Sequence, residues 1–276
     1  MLRAASDSIY GCRIADFLDE VPDFEDDEIA DVAQNQSEQK SNPRLQQEQL
    51  KPDFSSLQSI KEQISVCSRC ALSKTRKNTV AGTGCRTPEV LVIGEGPGYE
   101  EDVQGKPFVG PAGQLLDKML AAIQLSREIN TFITNIVKCR PPANRIPYPE
   151  EAQACEAFLK AQISILKPKL ILCVGSTASK NLLKTSVGVT KLRGQVYEYN
   201  AIPVCVTYHP SALLRDTSLK RPAWEDLKSL KKQLLKLAPD YEKPFFSSAQ
   251  ARLTQTSSAA RADPEISRSK AQSPSK

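Results

Sequence analysis

Four short runs of apolar, largely β-branched residues recur along the middle of the chain, and turn-forming residues bound each of them. The runs are Val90–Ile93, Thr131–Val137, Leu170–Val174 and Val204–Thr207. Because they are almost continuously apolar rather than alternating, they predict strands that are buried on both faces.

The segments between and after these runs carry apolar residues at helical spacing. They are Gln114–Ile123, Pro149–Leu166, Ala178–Leu183 and Trp224–Leu237. Strands that alternate with helices form a parallel sheet covered on both faces. The sequence therefore predicts a three-layer α/β/α fold with a central, mainly parallel sheet of about four strands. Ligands of such sheets bind in the loops at the carboxyl ends of the strands.

The two ends of the chain differ from its middle in composition. Residues 1–55 are polar with a net charge of −8, and residues 243–276 are basic and rich in serine. Neither end has enough large apolar residues to offset the entropy of ordering. We expect an acidic disordered extension, a folded domain over residues 56–242 and a basic disordered tail. Apolar residues at helical spacing in Ile14–Val21 predict either a helix that docks on an unknown protein partner or a transient helix without one.

The folded middle carries a net charge of +9. Such a surplus favours a polyanionic partner such as nucleic acid, although a solvated lysine-rich surface gives the same count. No apolar run approaches the ~18 residues of a membrane span, so we expect no membrane association. The first residues lack the apolar stretch of an export signal and are too acidic for a transit peptide, so we expect a protein that is not exported.

Four of the eight cysteines form a candidate metal site. Cys67 and Cys70 make a CxxC pair, Cys139 follows the second predicted strand, and Cys155 lies in the next helix. In a chain that is not exported, this set favours metal binding or free thiols over disulfides. A zinc knuckle usually has a second tight pair, and an iron–sulfur cluster suits scattered segments equally well. The cysteines expected not to ligate are Cys12, Cys85, Cys173 and Cys205.

Two of the predicted strands are followed by candidate ligand-binding residues. The Gly94–Gly98 loop lacks the spacing of a dinucleotide or P-loop motif, yet three glycines in five residues imply close approach to a ligand, or a tight turn. His209 is the only histidine and stands where ligands bind, although a lone histidine is often structural. Leu213, Leu214 and Arg215 come next, and such residues either wedge into a base stack or anchor the loop.

These motifs together resemble the family-four, iron–sulfur uracil-DNA glycosylases from about Val66 to Leu230. The blocks that carry the resemblance are Cys67–Cys70, Gly94–Gly98, Glu101-Asp102, Gly105–Gly110, Leu115–Asp117, Thr134–Pro142, Asn144-Arg145, Arg193-Gly194 and Tyr208–Arg215. The two ends of the chain have no counterpart in the family. The resemblance implies a monomeric base-excision-repair enzyme of the bacterial cytoplasm that acts on uracil-containing DNA and hydrolyses the N-glycosidic bond of uracil.

The resemblance also implies the cofactor and the uracil pocket. A [4Fe–4S] cluster with a structural role would be held by Cys67, Cys70, Cys139 and Cys155. Phe108 would stack on the uracil ring, Asn135 would read its polar edge, and His209 would hydrogen-bond to O2, in its neutral or its charged form. The backbone that holds the uracil from the other side would belong to Gly94, Glu95 and Gly96.

Catalysis requires stabilisation of a cationic sugar and an anionic leaving group. Family-one enzymes carry a water-activating Asp where this chain has Gly96. Glu95 and Asn144 are therefore candidates for positioning water or supporting the oxocarbenium ion, with Asp102 behind them; structural roles in the loops are the alternative. Contacts to DNA are expected from Arg193, Leu213, Leu214 and Arg215, and phosphate contacts also from Lys138, Arg140 and Arg145.

Two other functions fit parts of the same pattern. One is a non-catalytic iron–sulfur DNA-binding protein of the same fold, and the other is a zinc-stabilised nucleotide-binding protein. A pure DNA binder has no need of Phe108, Asn135 and His209, so their presence favours the enzyme. Absorbance near ~400 nm would separate a cluster from zinc.

Overall fold

Strands and helices alternate through most of the chain that the computed structural model describes, residues 54–247. The strands are β1 (Thr83–Gly84), β2 (Val90–Gly94), β3 (Thr131–Asn135), β4 (Leu170–Val174), β5 (Val196–Tyr199) and β6 (Ile202–Thr207). The helices are α1 (Leu57–Ser65), α2 (Tyr99–Gln104), α3 (Pro111–Ala121), α4 (Pro149–Leu166), α5 (Ser176–Leu183), α6 (Val189–Leu192), α7 (Pro210–Arg215) and α8 (Lys220–Leu237). The predictions for the acidic arm and its helix, for Cys12 and for most of the basic tail lie outside the described residues.

The six strands form one sheet in the order β1-β3-β2-β4-β6-β5. The four central strands are parallel, and their registers pair Gly94 with Asn135 and Val174 with Thr207. These four are the strands that the apolar runs predict, so the predicted fold class is confirmed. The carboxyl ends of β2, β3, β4 and β6 all meet at one edge of the sheet.

Two short antiparallel edge strands correct the predicted count of about four strands. β1 contributes two residues and pairs with β3, while β5 pairs with β6 through a hairpin. Asn200 and Ala201, with φ of 50° and 62°, form the turn of that hairpin, and positive φ at both central residues is typical of the tight turns that fit strand twist. β5 alternates exposed and half-buried residues, which is why it carries no continuous apolar run.

Helices cover both faces of the sheet and produce the predicted three layers. One face packs against α3, α7 and α8, whose buried residues include Leu116, Leu213 and Leu230. The other face packs against α4, α5 and α6. Helix α1 lies outside the second layer, where Ile60 and Ile64 pack against Phe158 of α4.

Most helix boundaries match the predictions within a few residues, and α4 matches at both ends. α3 begins earlier than predicted because Pro111 occupies its first turn, a position where a proline costs no hydrogen bond. α8 likewise begins at Lys220 rather than at Trp224. Across residues 54–247 no helix is both long and apolar enough to cross a membrane.

Candidate functional site

A cleft of about 540 Å³ opens at the edge of the sheet where the four parallel strands end. Side chains and backbone from all four post-strand loops line it. The residues that the argument uses are Glu95, Gly96, Phe108, Asn135, Asn144, Arg145, Ile146, Thr177, His209 and Arg215. The lining residues are spread from Glu95 to Arg215 along the chain, and the parallel strands bring them together. The site therefore depends on the assembled sheet rather than on one motif.

Phe108 presents its ring to the cleft from a backbone conformation that aromatic residues rarely adopt. Its φ is 53°, and left-handed backbone costs a non-glycine residue about 1–2 kcal/mol. The Arg127 guanidinium offsets this cost by donating to the carbonyls of Pro107 and Phe108, both at 2.9 Å. Arg127 is itself paired with Asp117 at 2.8 Å. Gly113 leaves the space that the Phe108 backbone occupies, since a Cβ there would lie 2.1 Å from the Phe108 carbonyl carbon.

The chain that follows Phe108 is held by a second charged side chain. The Glu101 carboxylate accepts hydrogen bonds from the backbone N–H groups of Val109 and Gly110, at 2.8 and 3.1 Å. Its other oxygen accepts from the Gly98 N–H at 3.1 Å. Glu101 therefore ties the glycine-rich loop after β2 to the loop that carries the aromatic ring.

Asn135 ends β3 with its side chain at the floor of the cleft. It is 1% exposed, and its Oδ1 has no hydrogen-bond partner among residues 54–247. A buried acceptor left unpaired costs about 1–3 kcal/mol, so this atom is set up to accept a hydrogen bond from a ligand. The neighbouring Gly94 is in close contact, because a Cβ there would lie 2.4 Å from Asn135 Oδ1 and 2.6 Å from the Phe108 ring.

Lys138 corrects one of the predicted phosphate contacts. Its side chain is 1% exposed, and Nζ donates to Thr134 Oγ1, to the Asn135 carbonyl and to Gln162 Oε1 at 2.7, 2.7 and 2.9 Å. Burial lowers the pKa of Lys138 to about 7, opposed by Cys155 and Cys139. The ammonium group therefore fixes the end of β3 from within the protein and is not available to DNA.

His209 lies beside Phe108 in the cleft, with ring centroids 5.5 Å apart. Its Nδ1 accepts a hydrogen bond from the Ser211 N–H at 3.2 Å and lies 2.8 Å from Ser211 Oγ. Burial, reinforced by the Arg215 cation, lowers the pKa of His209 to about 4. The ring is neutral at neutral pH, and since Nδ1 is the acceptor, its proton resides on Nε2.

Gly175 lets His209 approach the end of β4. Its φ is +92°, and a Cβ there would lie 3.0 Å from the His209 Cβ. A side chain at this position would be strained by the backbone and would crowd the Cβ that carries the imidazole. The loop after β4 therefore sets how deeply His209 sits in the cleft.

The two candidate water-positioning residues have different surroundings. The Glu95 carboxylate is half-buried and accepts a hydrogen bond from the Thr177 hydroxyl at the start of α5. Asn144 is exposed at the rim, and its Oδ1 accepts from Arg140 Nε at 2.8 Å. Asp102 does not line the cleft; its carboxylate accepts from the backbone N–H groups after Arg76, which corrects its predicted position behind the other two.

The predicted DNA contacts separate into buried and exposed groups. Leu213 is fully buried in the core, and Leu214 is partly buried against the same cluster, so Leu213 anchors α7 and is not exposed as a wedge. Arg193 is paired with the buried Asp226 at 2.9 Å, which makes it a link between α6 and α8. Arg215 is exposed at the rim of the cleft, as a phosphate contact requires.

The four cysteines of the candidate metal site line one pocket, together with Arg76, Lys138 and Phe158. Cys67 follows α1, Cys70 precedes a short 3-10 turn at Ala71–Lys74, Cys139 follows β3, and Cys155 lies in α4. As the side chains stand, no three His, Cys, Asp or Glu residues within residues 54–247 are arranged to hold a single metal ion. The remaining described cysteines, Cys85, Cys173 and Cys205, are not among the residues that line this pocket.

The charges around the four thiols suit a group bound by thiolates. Burial raises the pKa of Cys139 to about 11, opposed by Arg76, whose Nη1 donates to Cys139 Sγ at 3.2 Å. Burial also raises the pKa of Cys155, and Lys138 opposes that shift. The Arg76 cation and the Nζ group of Lys138 therefore lie where the negative charge of deprotonated ligands would develop, and the all-sulfur donor set is typical of zinc and of iron–sulfur clusters.

Three positioning residues escaped the sequence-based interpretation. Thr177 lies in the first turn of α5, directly after the carboxyl end of β4, so its place was a usable signal. Glu101 lies in one of the blocks that carry the resemblance, but its role depends on backbone N–H groups that a sequence does not show. Arg127 gave no signal, because it precedes β3 and lies away from the post-strand loops.

Comparison with known proteins places these features in a family. A model described as the uracil DNA glycosylase superfamily matches residues 81–228. The type-4 uracil-DNA glycosylase of Archaeoglobus fulgidus is 40% identical over 183 residues, which cover 63% of this chain and 92% of that protein. The type-4 enzyme of Thermotoga maritima is 43% identical over 176 residues, covering 62% and 91%. The type-5 uracil-DNA glycosylase of Pyrobaculum aerophilum is 30% identical over 140 residues, covering 45% and 62%.

Proposed function

Because this chain belongs to the uracil DNA glycosylase superfamily and, within it, to the type-4 uracil-DNA glycosylases, we propose that it removes uracil from DNA by hydrolysing the N-glycosidic bond and leaves an abasic site. The observation that carries the proposal is the unpaired Oδ1 of Asn135 at the floor of a cleft that also holds Phe108 and His209. An acceptor, a ring face and a donor then line the same cleft.

Asn135 distinguishes uracil from cytosine by the direction of its hydrogen bonds. Its Oδ1 accepts from uracil N3–H, and its Nδ2 donates to O4. Cytosine offers an acceptor at N3 and a donor at its 4-amino group. Asn135 Oδ1 would then face another acceptor, and Asn135 Nδ2 would face another donor. Phe108 supplies the stacking face, and the absence of a side chain at Gly94 lets the amide and the ring lie close together.

His209 stabilises the leaving group. As the bond between C1′ and N1 breaks, its electron pair goes to the uracil ring, and negative charge develops on O2. The neutral imidazole donates from Nε2–H to that oxygen, and it is already oriented by the Ser211 N–H on Nδ1. A fixed donor in a buried site needs no reorganisation during the reaction.

Glu95 positions the water that adds to C1′, accepts the proton that this water loses as the C1′–O bond forms, and stabilises the cationic sugar before that. Its carboxylate lines the cleft and is held by the Thr177 hydroxyl. Asn144 acts from the rim, where Arg140 holds its Oδ1. Glu95 is the stronger candidate, since it is less exposed and a carboxylate carries the charge that an oxocarbenium ion attracts.

Cys67, Cys70, Cys139 and Cys155 hold a [4Fe–4S] cluster. The support is the family, the four thiols in one pocket, and the cations Arg76 and Lys138 beside them. When bound, the cluster supplies a four-point cross-link between the segment after α1, the end of β3 and α4. Its function is therefore structural.

The cluster is tested by comparing Cys139→Ser with Cys85→Ser. Cys139→Ser should lose iron, acid-labile sulfide and the absorbance near ~400 nm, whereas Cys85, half-exposed and outside the pocket, should tolerate the change. Cys173 is a poorer control, because it is 0% exposed and a hydroxyl there would be buried. Equal iron content in the two variants would rule out the ligand set.

The partner of the proposed enzyme is uracil-containing DNA. The +9 charge of residues 56–242 favours binding to a polyanion, and we infer that the protein works beside the chromosome in the cytoplasm. It acts as a monomer, since one chain supplies every residue proposed for the cleft. The acidic arm, residues 1–55, is the segment available for a protein partner.

The decisive assay is release of uracil from a uracil-containing oligonucleotide by the full chain. Asn135→Asp replaces the amide donor by a carboxylate and should slow release on the order of 10²-fold, and His209→Ala should do the same. Asn200→Asp is the matched control, because it makes the same chemical change in an exposed turn. DNA binding without uracil release by the wild type would favour the non-catalytic DNA-binding protein instead.

A further inference from the structure

An exposed isoleucine stands at the mouth of the cleft. Ile146 is 67% exposed and lines the cleft beside Asn144 and Arg145. Single exposed apolar side chains are common on protein surfaces and need no explanation by themselves. Ile146 differs in its place, next to the space proposed for the uracil, and in the way its loop is held.

The rim loop, residues 141–148, is pinned at several points. Arg145 forms two hydrogen bonds to the Glu151 carboxylate at 2.9 and 2.7 Å and lies 3.7 Å over the Tyr148 ring. The same guanidinium donates to the Ile146 carbonyl at 3.1 Å, and Glu151 also accepts from the Tyr148 N–H at 2.8 Å. Pro147 is buried. The loop therefore presents Ile146, whose branched side chain has few rotamers, in a fixed position.

Cations and an exposed aromatic ring lie next to the rim loop, which Arg140 contacts by donating to Asn144 Oδ1. Arg140 and Lys77 both lie 5.2 Å from the ring of the exposed Tyr99, and Arg215 is exposed at the rim of the same cleft. Cations beside exposed aromatic rings are the combination that binds phosphates and stacked bases. An apolar protein partner would not be matched to so much positive charge.

The helix expected to supply the wedge cannot do so with Leu213. That side chain is 0% exposed and belongs to the core cluster that also holds Leu116 of α3 and Leu227 of α8. To leave the core it would have to open a cavity at a cost of several kcal/mol. Ile146 reaches the solvent without any such rearrangement.

We propose that Ile146 enters the base stack when a uracil nucleotide is extruded from duplex DNA, and that the rim loop carries the wedge of this enzyme. The proposal rests on the proposed function. Extrusion leaves a gap between the neighbouring base pairs, and an apolar side chain that fills the gap stabilises the opened duplex. A single strand has no such gap to fill.

The test compares Ile146→Ala with the wild type on two matched substrates. One is a single-stranded oligonucleotide with a central uracil, and the other is the same strand in a duplex. The ratio of duplex to single-strand excision rates should fall on the order of tenfold, because unstacking costs a few kcal/mol. Val196→Ala, a change at an exposed apolar residue on β5, is the matched control and should leave the ratio unchanged.

A fluorescent base reports the wedge directly. With 2-aminopurine beside the uracil, the wild type should raise the fluorescence on binding duplex, and Ile146→Ala should raise it less. Equal losses on both substrates, or an unchanged ratio, would overturn the proposal. If Leu214→Ala lowered the excision rate on duplex DNA alone and Ile146→Ala did not, α7 rather than the rim loop would supply the wedge. If the wild type releases uracil from neither substrate, the proposed function fails instead.

Discussion

Substituting Gly94 by alanine perturbs at once the two side chains, Asn135 and Phe108, that are proposed to bind uracil. The added Cβ would lie 2.4 Å from Asn135 Oδ1 and 2.6 and 2.7 Å from two carbons of the Phe108 ring. Ordinary contacts begin at about 3.4 Å, so the amide must move by about 1.0 Å and the ring by about 0.8 Å. Gly94 cannot retreat, because it is the last residue of β2 and its carbonyl accepts from the Ile136 N–H at 2.9 Å.

A displacement of this size in groups that orient the substrate costs on the order of 10²-fold in rate. We therefore expect kcat/KM for uracil excision to fall about 100-fold in Gly94→Ala. Overpacking of the floor should also lower the free energy of unfolding by about 1–3 kcal/mol. These two effects are separable, because the activity loss persists under conditions where the variant is fully folded.

The assay is single-turnover release of uracil from a labelled single strand, with folding checked by circular dichroism and urea unfolding. Gly188→Ala is the matched control, since the nearest atom to its added Cβ is Ser176 Oγ at 4.0 Å. A folded Gly94→Ala protein with a rate within threefold of the wild type would refute the reasoning. It would mean that Asn135 and Phe108 do not need their present positions to bind the base.

Three further outcomes are expected. Leu213→Ala should lower the free energy of unfolding by about 2–5 kcal/mol and reduce excision equally on single strands and duplexes; a duplex-specific loss would contradict its burial. Arg127→Lys removes the planar guanidinium that donates to the Pro107 and Phe108 carbonyls, so inhibition by free uracil should weaken about tenfold. The control Arg86→Lys, at an exposed position, should be inhibited like the wild type. Inhibition of Arg127→Lys equal to that of the wild type would exclude a role of Arg127 in positioning Phe108. For His209, the pKa is about 4 in the fold and 6.5 when unfolded, so the unfolded state binds more protons between these values. As the pH falls from 6.5 to 4, the free energy of unfolding of the wild type should therefore decrease more steeply than that of His209→Gln. The difference in slope should reach about 1.4 kcal/mol per pH unit, as measured by urea unfolding.

The central sheet and its ligand edge are predictable because their signals are local. A parallel strand buried on both faces needs an apolar run, and each run ends at a turn-forming residue, as Gly94 and Gly175 illustrate. β5 escapes this rule, since an edge strand with one exposed face needs only alternate apolar residues. Its signal was the turn at Asn200 and Ala201 rather than hydrophobicity.

The errors at individual residues have physical reasons of a different kind. Lys138 was expected to meet phosphate because it follows a predicted strand at the ligand edge of the sheet, but three acceptors from β3 and α4 satisfy its Nζ inside the protein. That arrangement depends on residues 24 positions apart and leaves no local pattern. For Leu213 and Leu214, the sequence did contain a signal that one of the two is buried. Adjacent residues of a helix point in different directions, so α7 can present at most one of its two leucines to DNA.

The order of strands in the sheet has a consequence for how activity arises during folding. β2 pairs with β3 and β4, and β6 joins only at the far side of β4, so every central pairing spans a long stretch of chain. Sheets with such non-local pairings fold slowly. His209 follows the last of these strands, so the cleft lacks the donor proposed for uracil O2 until β6 has docked. A nascent chain on the ribosome is therefore inactive until residues beyond Arg215 have emerged, and recovered activity in a refolding experiment reports the completed sheet rather than any intermediate.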